Sequence, residues 1–373
     1  MKRLLYGVLA VLMLSTVVLL PACTDPPPDG ESGASGASSV ASAPASVSYP
    51  PSQATMEQIG RVSIMPRNDQ FDYIMANLDQ WAQVRAFSDV YGNADHQLNR
   101  HSPDDEVLSA GFAKLKEWGM KLELEVGAVK EWAVTGNKTF TTQKPMWDRF
   151  IRCGMEINAL SFDEPLINVL HNEAYSFLEN REARFQYAVK ETADFIEQVR
   201  KHYPNTLVGD IEVYDSLTAE ENIRWIDALQ SELASRGVRG MDYYRMDVNW
   251  AAFKKRKDLR EKHWKEVVAV QEHCKSVGLP FSMIYWSSNV SDYYEEGQKI
   301  VDNPDKVWYD AIMKQGEEFK AVGGNPDQFC FETWINIENE HGERLQMPPT
   351  TLPETLQYSW MNSVLDFYEK YMK

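Results

Sequence analysis

Apolar and polar residues alternate with a period of two in four short stretches of this chain. They are Leu122-Glu123-Leu124-Glu125-Val126, Val208-Gly209-Asp210-Ile211-Glu212-Val213, Tyr244-Arg245-Met246-Asp247-Val248 and Phe329-Cys330-Phe331-Glu332-Thr333-Trp334. Successive side chains of a β-strand point to opposite faces. The pattern predicts strands with one apolar face, carrying Leu122, Leu124, Ile211, Val213, Met246, Val248, Phe329 and Phe331. The other face carries Glu123, Glu125, Asp210, Glu212, Arg245, Asp247 and Glu332. Charge on this scale is costly to bury unless it is paired or hydrogen-bonded. A sheet that gathers it on one face is building a site.

The same reading extends along the chain as an alternation of strand and helix. Further strands are predicted at Arg61 to Met65, Val84 to Val90, Glu156 to Phe162 and Pro280 to Trp286. Helical patterns fill Phe71 to Gln83, Asp104 to Trp118, Lys144 to Met155, Glu173 to His202, Thr218 to Arg236, Lys254 to Val277, Tyr293 to Val322 and Leu352 to Tyr371. Thr218-Ala219-Glu220-Glu221 is a capping-box sequence, and Ser102-Pro103-Asp104-Asp105 offers a cap with early acidic residues. Gly278 stands where a helix should end. Repeated strand–helix units predict a parallel sheet with helices outside, and eight of them at this length predict an α/β fold, a closed (β/α)8 TIM barrel. No G-x-G-x-x-G follows the first strand, which argues against an open dinucleotide-binding sheet.

The N-terminus does not belong to that pattern. Met1-Lys2-Arg3 is a short basic region, Leu4 to Leu20 is apolar, and Leu20-Pro21-Ala22-Cys23 follows. This resembles a bacterial lipoprotein signal peptide. The resemblance implies cleavage before Cys23, acyl chains on Cys23, and a lipid-anchored, extracytoplasmic protein at the periplasmic or outer cell surface. Thr24 to Thr55 is rich in Pro, Ser, Ala and Gly and has little apolar mass to bury, as expected of a disordered tether. Such a tether spans about 30 Å root-mean-square. The expected organisation is a signal peptide over 1–22, a lipidated Cys and linker over 23–55, and a catalytic barrel over 56–373.

The formal net charge of −17 argues against nucleic acid and against docking on anionic lipid through a basic patch. Beyond Cys23 there are Cys153, Cys274 and Cys330, with no metal-ligand spacing among them. They read as small buried hydrophobes. One disulfide remains open on sequence alone.

Two carboxylates stand at predicted strand ends: Glu164 in Leu160-Ser161-Phe162-Asp163-Glu164-Pro165, and Glu332. Cleaving a glycosidic bond takes two carboxyl groups across the sugar. One protonates the leaving oxygen and the other acts as nucleophile or activates water. On these motifs the chain resembles the large clan of (β/α)8 glycoside hydrolases, in which an Asn-Glu-Pro motif ends strand four and a second Glu ends strand seven. The resemblance implies that Glu164 is the acid/base and Glu332 the nucleophile. Two departures stand beside it. Asp163 replaces the motif's Asn, and Glu332 falls four strands after Glu164 rather than three.

Aromatic side chains at or near strand ends suit a sugar: Trp132, Tyr214, Trp250, Tyr285, Trp286 and Trp334. Asp163, Asp89, Glu125, Asp210, Glu212, Arg245 and Asp247 are candidates for holding its hydroxyls or orienting the pair, with Asp210 and Glu212 in reserve as catalytic carboxylates. The sequence thus predicts a lipid-anchored, monomeric hydrolase of a carbohydrate, needing no cofactor and no metal. Two rivals use the same residues. One is a barrel that processes sugars with Mg²⁺ or Mn²⁺ held by Glu164, Asp210 or Glu212, Asp247 and Glu332. The other is a surface lipoprotein that binds glycans without cleaving them.

Overall fold

A computed structural model of the protein describes residues 54–250, 259–286, 290–295, 299–339 and 341–373. The segment expected to be a lipoprotein signal, with Cys23, and almost all of the expected tether lie outside the described residues. Eight parallel strands close into a barrel in sequence order: β1 (Val62–Met65), β2 (Val90–Ala94), β3 (Lys121–Val126), β4 (Ala159–Asp163), β5 (Leu207–Tyr214), β6 (Tyr243–Val248), β7 (Phe281–Tyr285) and β8 (Gln328–Glu332). Closure is made by β1 on β8, with Met65 opposite Glu332. This is the (β/α)8 architecture that the alternation predicts.

Local chemistry sets most of the helices. Thr218 and Glu221 form the expected capping box at the start of Ala219–Ser235, and Asp104 caps Asp105–Glu117 by accepting from the Glu106 and Val107 amides. Several expectations shift, among them the following. Val84 is helical, not strand, because Ala82–Phe87 is capped from far along the chain: Glu354 accepts from the amides of Gln83 and Val84. The second strand therefore begins at Val90. The helix expected from Lys144 starts at Gly136, capped by Thr135, and runs through Pro145. The long helix expected from Glu173 begins at Arg181 behind Asn180. An antiparallel hairpin, β9 (Ile335–Glu338) with β10 (Arg344–Met347), follows β8 and was not visible in the pattern.

The barrel interior is layered. Near the N-terminal end of the strands Tyr243 packs with Ile59, Ala159 and Leu207, and a Cβ at Gly209 would fall 2.1 Å from the Tyr243 ring. Above it Arg245, fully buried, makes a bidentate ion pair with Glu123. Its Nε donates to Ser282 at 3.0 Å and its Nη2 to Gln328 at 2.7 Å. Above that, Met65, Ile211, Ile284 and Cys330 pack with Trp286, Tyr293 and the hairpin residues Ile335, Ile337 and Met347. Cys153, Cys274 and Cys330 are buried free thiols, as their reading as small hydrophobes implies.

One strand presents its faces the other way round. On β3, β6 and β8 the acidic side chains turn inward as predicted. On β5, Ile211 and Val213 turn inward, and Asp210 and Glu212 turn out to the helices. Asp210 accepts from the indole N–H of Trp225 at 2.6 Å. Glu212 accepts from the backbone of the helix Pro165–His171. Donors on the helix layer replace part of the water these carboxyls lost, while Asp210 Oδ1 has no hydrogen-bond partner among the described residues.

Candidate active site at the C-terminal mouth of the barrel

The C-terminal ends of the strands surround a cavity of about 400 Å³. Active sites of this architecture lie at that end. Glu125 comes from β3, Asp163 and Glu164 from the end of β4, Asp247 from β6 and Glu332 from β8, while Trp286 and Trp334 follow β7 and β8. Asn68, Ser216 and Asn249 add neutral polar groups. A second cavity, about 620 Å³, opens at the opposite end among Lys121, Asn158, Tyr203 and Arg239. Its buried carboxylate Asp242 is committed to Arg200 at 2.8 Å, whereas the mouth gathers five carboxyls.

Glu164 is held by its backbone. It has φ 50° and ψ 51°, a left-handed conformation uncommon outside glycine. Pro165 at the first helical position disfavours a right-handed helical turn at Glu164. The Glu164 N–H donates to Ile211 O at 3.0 Å, and its carbonyl accepts from Asn168 at 3.0 Å. Behind the turn, the Glu212 carboxylate accepts from the Leu166 amide at 2.5 Å and the Ile167 amide at 3.3 Å. Strain of this kind costs on the order of 1–3 kcal/mol and persists only where the surroundings fix it.

The electrostatics push these carboxyls toward their neutral forms. Burial, followed by the charge of Asp163, raises Glu164 to about 7, with Lys130 opposing. Lys130 donates to Asp163 at 2.7 Å. Burial and then Asp163 raise Glu125 to about 8. Glu332 lies well above the carboxylate range through burial and then Glu125, with Arg245 beneath pulling it down. The Glu125 and Glu332 carboxyls also act on one another, Glu125 holding Glu332 up and Glu332 opposing the rise of Glu125. Asp247 is also raised, by burial and then by Glu164, and accepts from the Trp286 indole. Trp334, about one-third exposed, lies over Trp286 with ring centroids 4.4 Å apart.

The structure therefore gathers Glu164, Glu332, Asp163, Glu125, Asp247, Trp286 and Trp334, and separates the rest. Asp89 lies at the other end of the barrel, accepting from the amides of Arg61 and Val62. Asp210 and Glu212 face the helices. The Tyr214 hydroxyl bonds His263 at 2.9 Å and also Glu266, on the outer helix Arg260–Ser276. The Trp250 indole donates to Glu318 at 3.3 Å, and Tyr285 packs among Phe329, Phe331 and Phe367. Trp132 is nearly half exposed beside Gly127. Arg245 faces inward as predicted, but its donors are already taken below the cavity. Lys130 was missed, because a lone cation in the loop after β3 carries no periodic signal. Among the described residues no three His, Cys, Asp or Glu side chains stand close enough to hold a metal ion, so the carboxylate set proposed for Mg²⁺ or Mn²⁺ is not assembled. Among them also no helix is long and apolar enough to cross a membrane.

No family model and no curated protein matches the chain. Solved structures resemble it only loosely. An endo-β-1,4-mannanase from Thermotoga petrophila is 10% identical over 84% of this chain and 76% of that one, with a TM-score of 0.41. A β-1,3-glucanosyltransferase from Rhizomucor miehei is 14% identical over 74% and 88%, with a TM-score of 0.40. The YdjI aldolase from Escherichia coli is 9% identical over 73% and 74%, with a TM-score of 0.36. Their names differ in chemistry, and the fold rests on the closed strand order of this chain itself.

Proposed function

We propose that this protein is a glycoside hydrolase, held outside the cytoplasm by a lipid on Cys23 and acting on a carbohydrate at the mouth of its barrel. The observation that carries the reading is a single cavity in which carboxyls from opposite walls, Glu164 after β4 and Glu332 on β8, face the same space beside a tryptophan pair. Sugar C–H faces pack on indole rings, and sugar hydroxyls need carboxyl and amide partners.

Glu164 is the acid. A carboxyl that titrates near 7 keeps enough of its proton at neutral pH to deliver it to the departing glycosidic oxygen. Glu332 is the opposing nucleophile or base, able to act when its pair with Glu125 carries a negative charge. The glycosidic C–O bond breaks, one water is consumed, and its second proton restores Glu164.

The test is a glycan panel assayed with the wild type, Glu164→Gln and Glu332→Gln. Cleavage by the wild type should fall at least about 100-fold in each variant. Undiminished cleavage in both would overturn the assignment. Glycan binding with no product from the wild type would leave a binding protein instead. Separately, Cys23→Ser should release the protein from membranes.

A further inference from the structure

The polar groups of the cavity are short of donors. Among the described residues, Lys130 and Arg245 act on its carboxyls, as does His96 when protonated. Each has another partner: Lys130 pairs with Asp163, Arg245 with Glu123 and His96 with Asp95. Glu125, Glu164, Asp247 and Glu332 are left with one indole N–H, that of Trp286, directed at Asp247. Glu332 is only 7% exposed, and no N–H or O–H of the described residues reaches its Oε2. The group it faces is another carboxyl, Glu125. A buried acceptor without a donor costs about 1–3 kcal/mol, so the site favours a ligand that brings donors.

We propose that the substrate carries a free ammonium group, an amino-sugar glycan whose amine is not acylated, and that this amine docks between Glu125, Glu332 and Asp247 beneath the Trp286–Trp334 wall. The inference rests on the glycan reading above and names the sugar class it takes. An ammonium group has three donors and no acceptor. It matches carboxyls short of N–H partners, whereas a hydroxyl brings one donor and a carboxylate group brings none. Indole faces also attract cations within about 6 Å.

The proton balance follows. In the empty site burial holds Glu125 and Glu332 toward their neutral forms. When the ammonium group arrives, a carboxyl proton leaves to solvent and that carboxylate's negative charge faces the ligand's positive charge. No oxidant or further reactant is needed. The substrate thus ionises the carboxyl that must act on it, and a neutral sugar does not.

The experiment uses the full-length protein in detergent and six probes: glucosamine, galactosamine, glucose, galactose, N-acetylglucosamine and glucuronate, measured by calorimetry in two buffers of different ionisation enthalpy. The expected result is binding of a hexosamine about 10-fold or more tighter than its neutral or N-acetylated counterpart, with about one proton released. Glu125→Gln and Glu332→Gln should each lower that preference about 10-fold or more, and their retained thermal unfolding transition would show that they fold. Equal binding of glucose or N-acetylglucosamine, preferred binding of glucuronate, or no binding of either hexosamine overturns the proposal. The two readings separate in the same protein. Cleavage of a neutral glycan without hexosamine preference sinks this inference and leaves the hydrolase. Hexosamine binding with proton release, but no cleavage of any amino-sugar polymer, sinks the hydrolase and leaves this inference.

Discussion

The carboxylate of Glu212 accepts a 2.5 Å hydrogen bond from the amide of Leu166, two residues beyond Glu164. Glu212 never faces the cavity, yet it satisfies the first amides of the helix that Glu164 caps and pins the left-handed turn from behind. It is a positioning residue. Glu212→Ala should leave one buried and one part-buried amide without this acceptor, cost about 1–3 kcal/mol in urea unfolding, and lower kcat more than it raises KM. Glu212→Gln retains one acceptor oxygen and should recover most of both losses. A Glu212→Ala enzyme with unchanged kcat would remove Glu212 from this role.

Burial raises the pH at which Glu164 loses its proton, and Asp163 and Lys130 then act on it with opposite sign. Activity that needs protonated Glu164 should fall as pH rises through about 7. Lys130→Met removes the positive charge, raises the Glu164 pKa further and should move the alkaline limb to higher pH. Asp163→Asn removes the negative charge and leaves Lys130 unopposed, so the limb should move to lower pH. The pH dependence of kcat/KM in the three enzymes checks this. Limbs that coincide would mean that Glu164 is not the titrating acid.

How far the sequence reveals this site can be traced residue by residue. Glu125, Asp247 and Glu332 were legible because the opposite faces of their strands carry Leu122, Leu124, Met246, Val248, Phe329 and Phe331, which pack into the apolar core. Asp210 and Glu212 alternate equally well but face outward, because the Trp225 indole and the Leu166 amide supply donors on that side. Periodicity separates two faces of a strand; it does not say which one is inside when both can satisfy a carboxyl. Glu164 was legible from its neighbour Pro165. Lys130 and the helical state of Val84 depend on partners remote in sequence, Asp163 and Glu354, and no local pattern contains them.

Arg245 was expected to touch substrate and instead spends its donors on Glu123, Ser282 and Gln328. Removing one member of a fully buried pair strands the other's charge. Arg245→Met alone should therefore cost about 3–5 kcal/mol of stability, measured by urea unfolding. Arg245→Met combined with Glu123→Leu should be more stable than Arg245→Met by itself, since no buried charge is left behind. A double variant less stable than the single would show that packing around Arg245, rather than its charge, sets the cost.

Several carboxyls are raised in the folded state: Glu164 to about 7, and Glu125 and Asp210 to about 8, each with burial as the first cause. Between the ordinary carboxylate range near 4 and these values the folded chain holds more protons than the unfolded chain. Stability should therefore fall as pH rises from about 5 to about 8, by at most about 1.4 kcal/mol per pH unit for each such group. Asp194 and Glu221 run the other way: their hydrogen bonds and ion pairs lower them against burial, and that stability is lost only as pH drops below the ordinary range. The maximum should thus lie in mild acid. Asp210→Asn keeps an acceptor for the Trp225 indole but cannot ionise. It should match the wild type near pH 5 and exceed it near pH 8. Urea unfolding at the two pH values decides the matter, and an Asp210→Asn protein no more stable than wild type at pH 8 would remove Asp210 from the account.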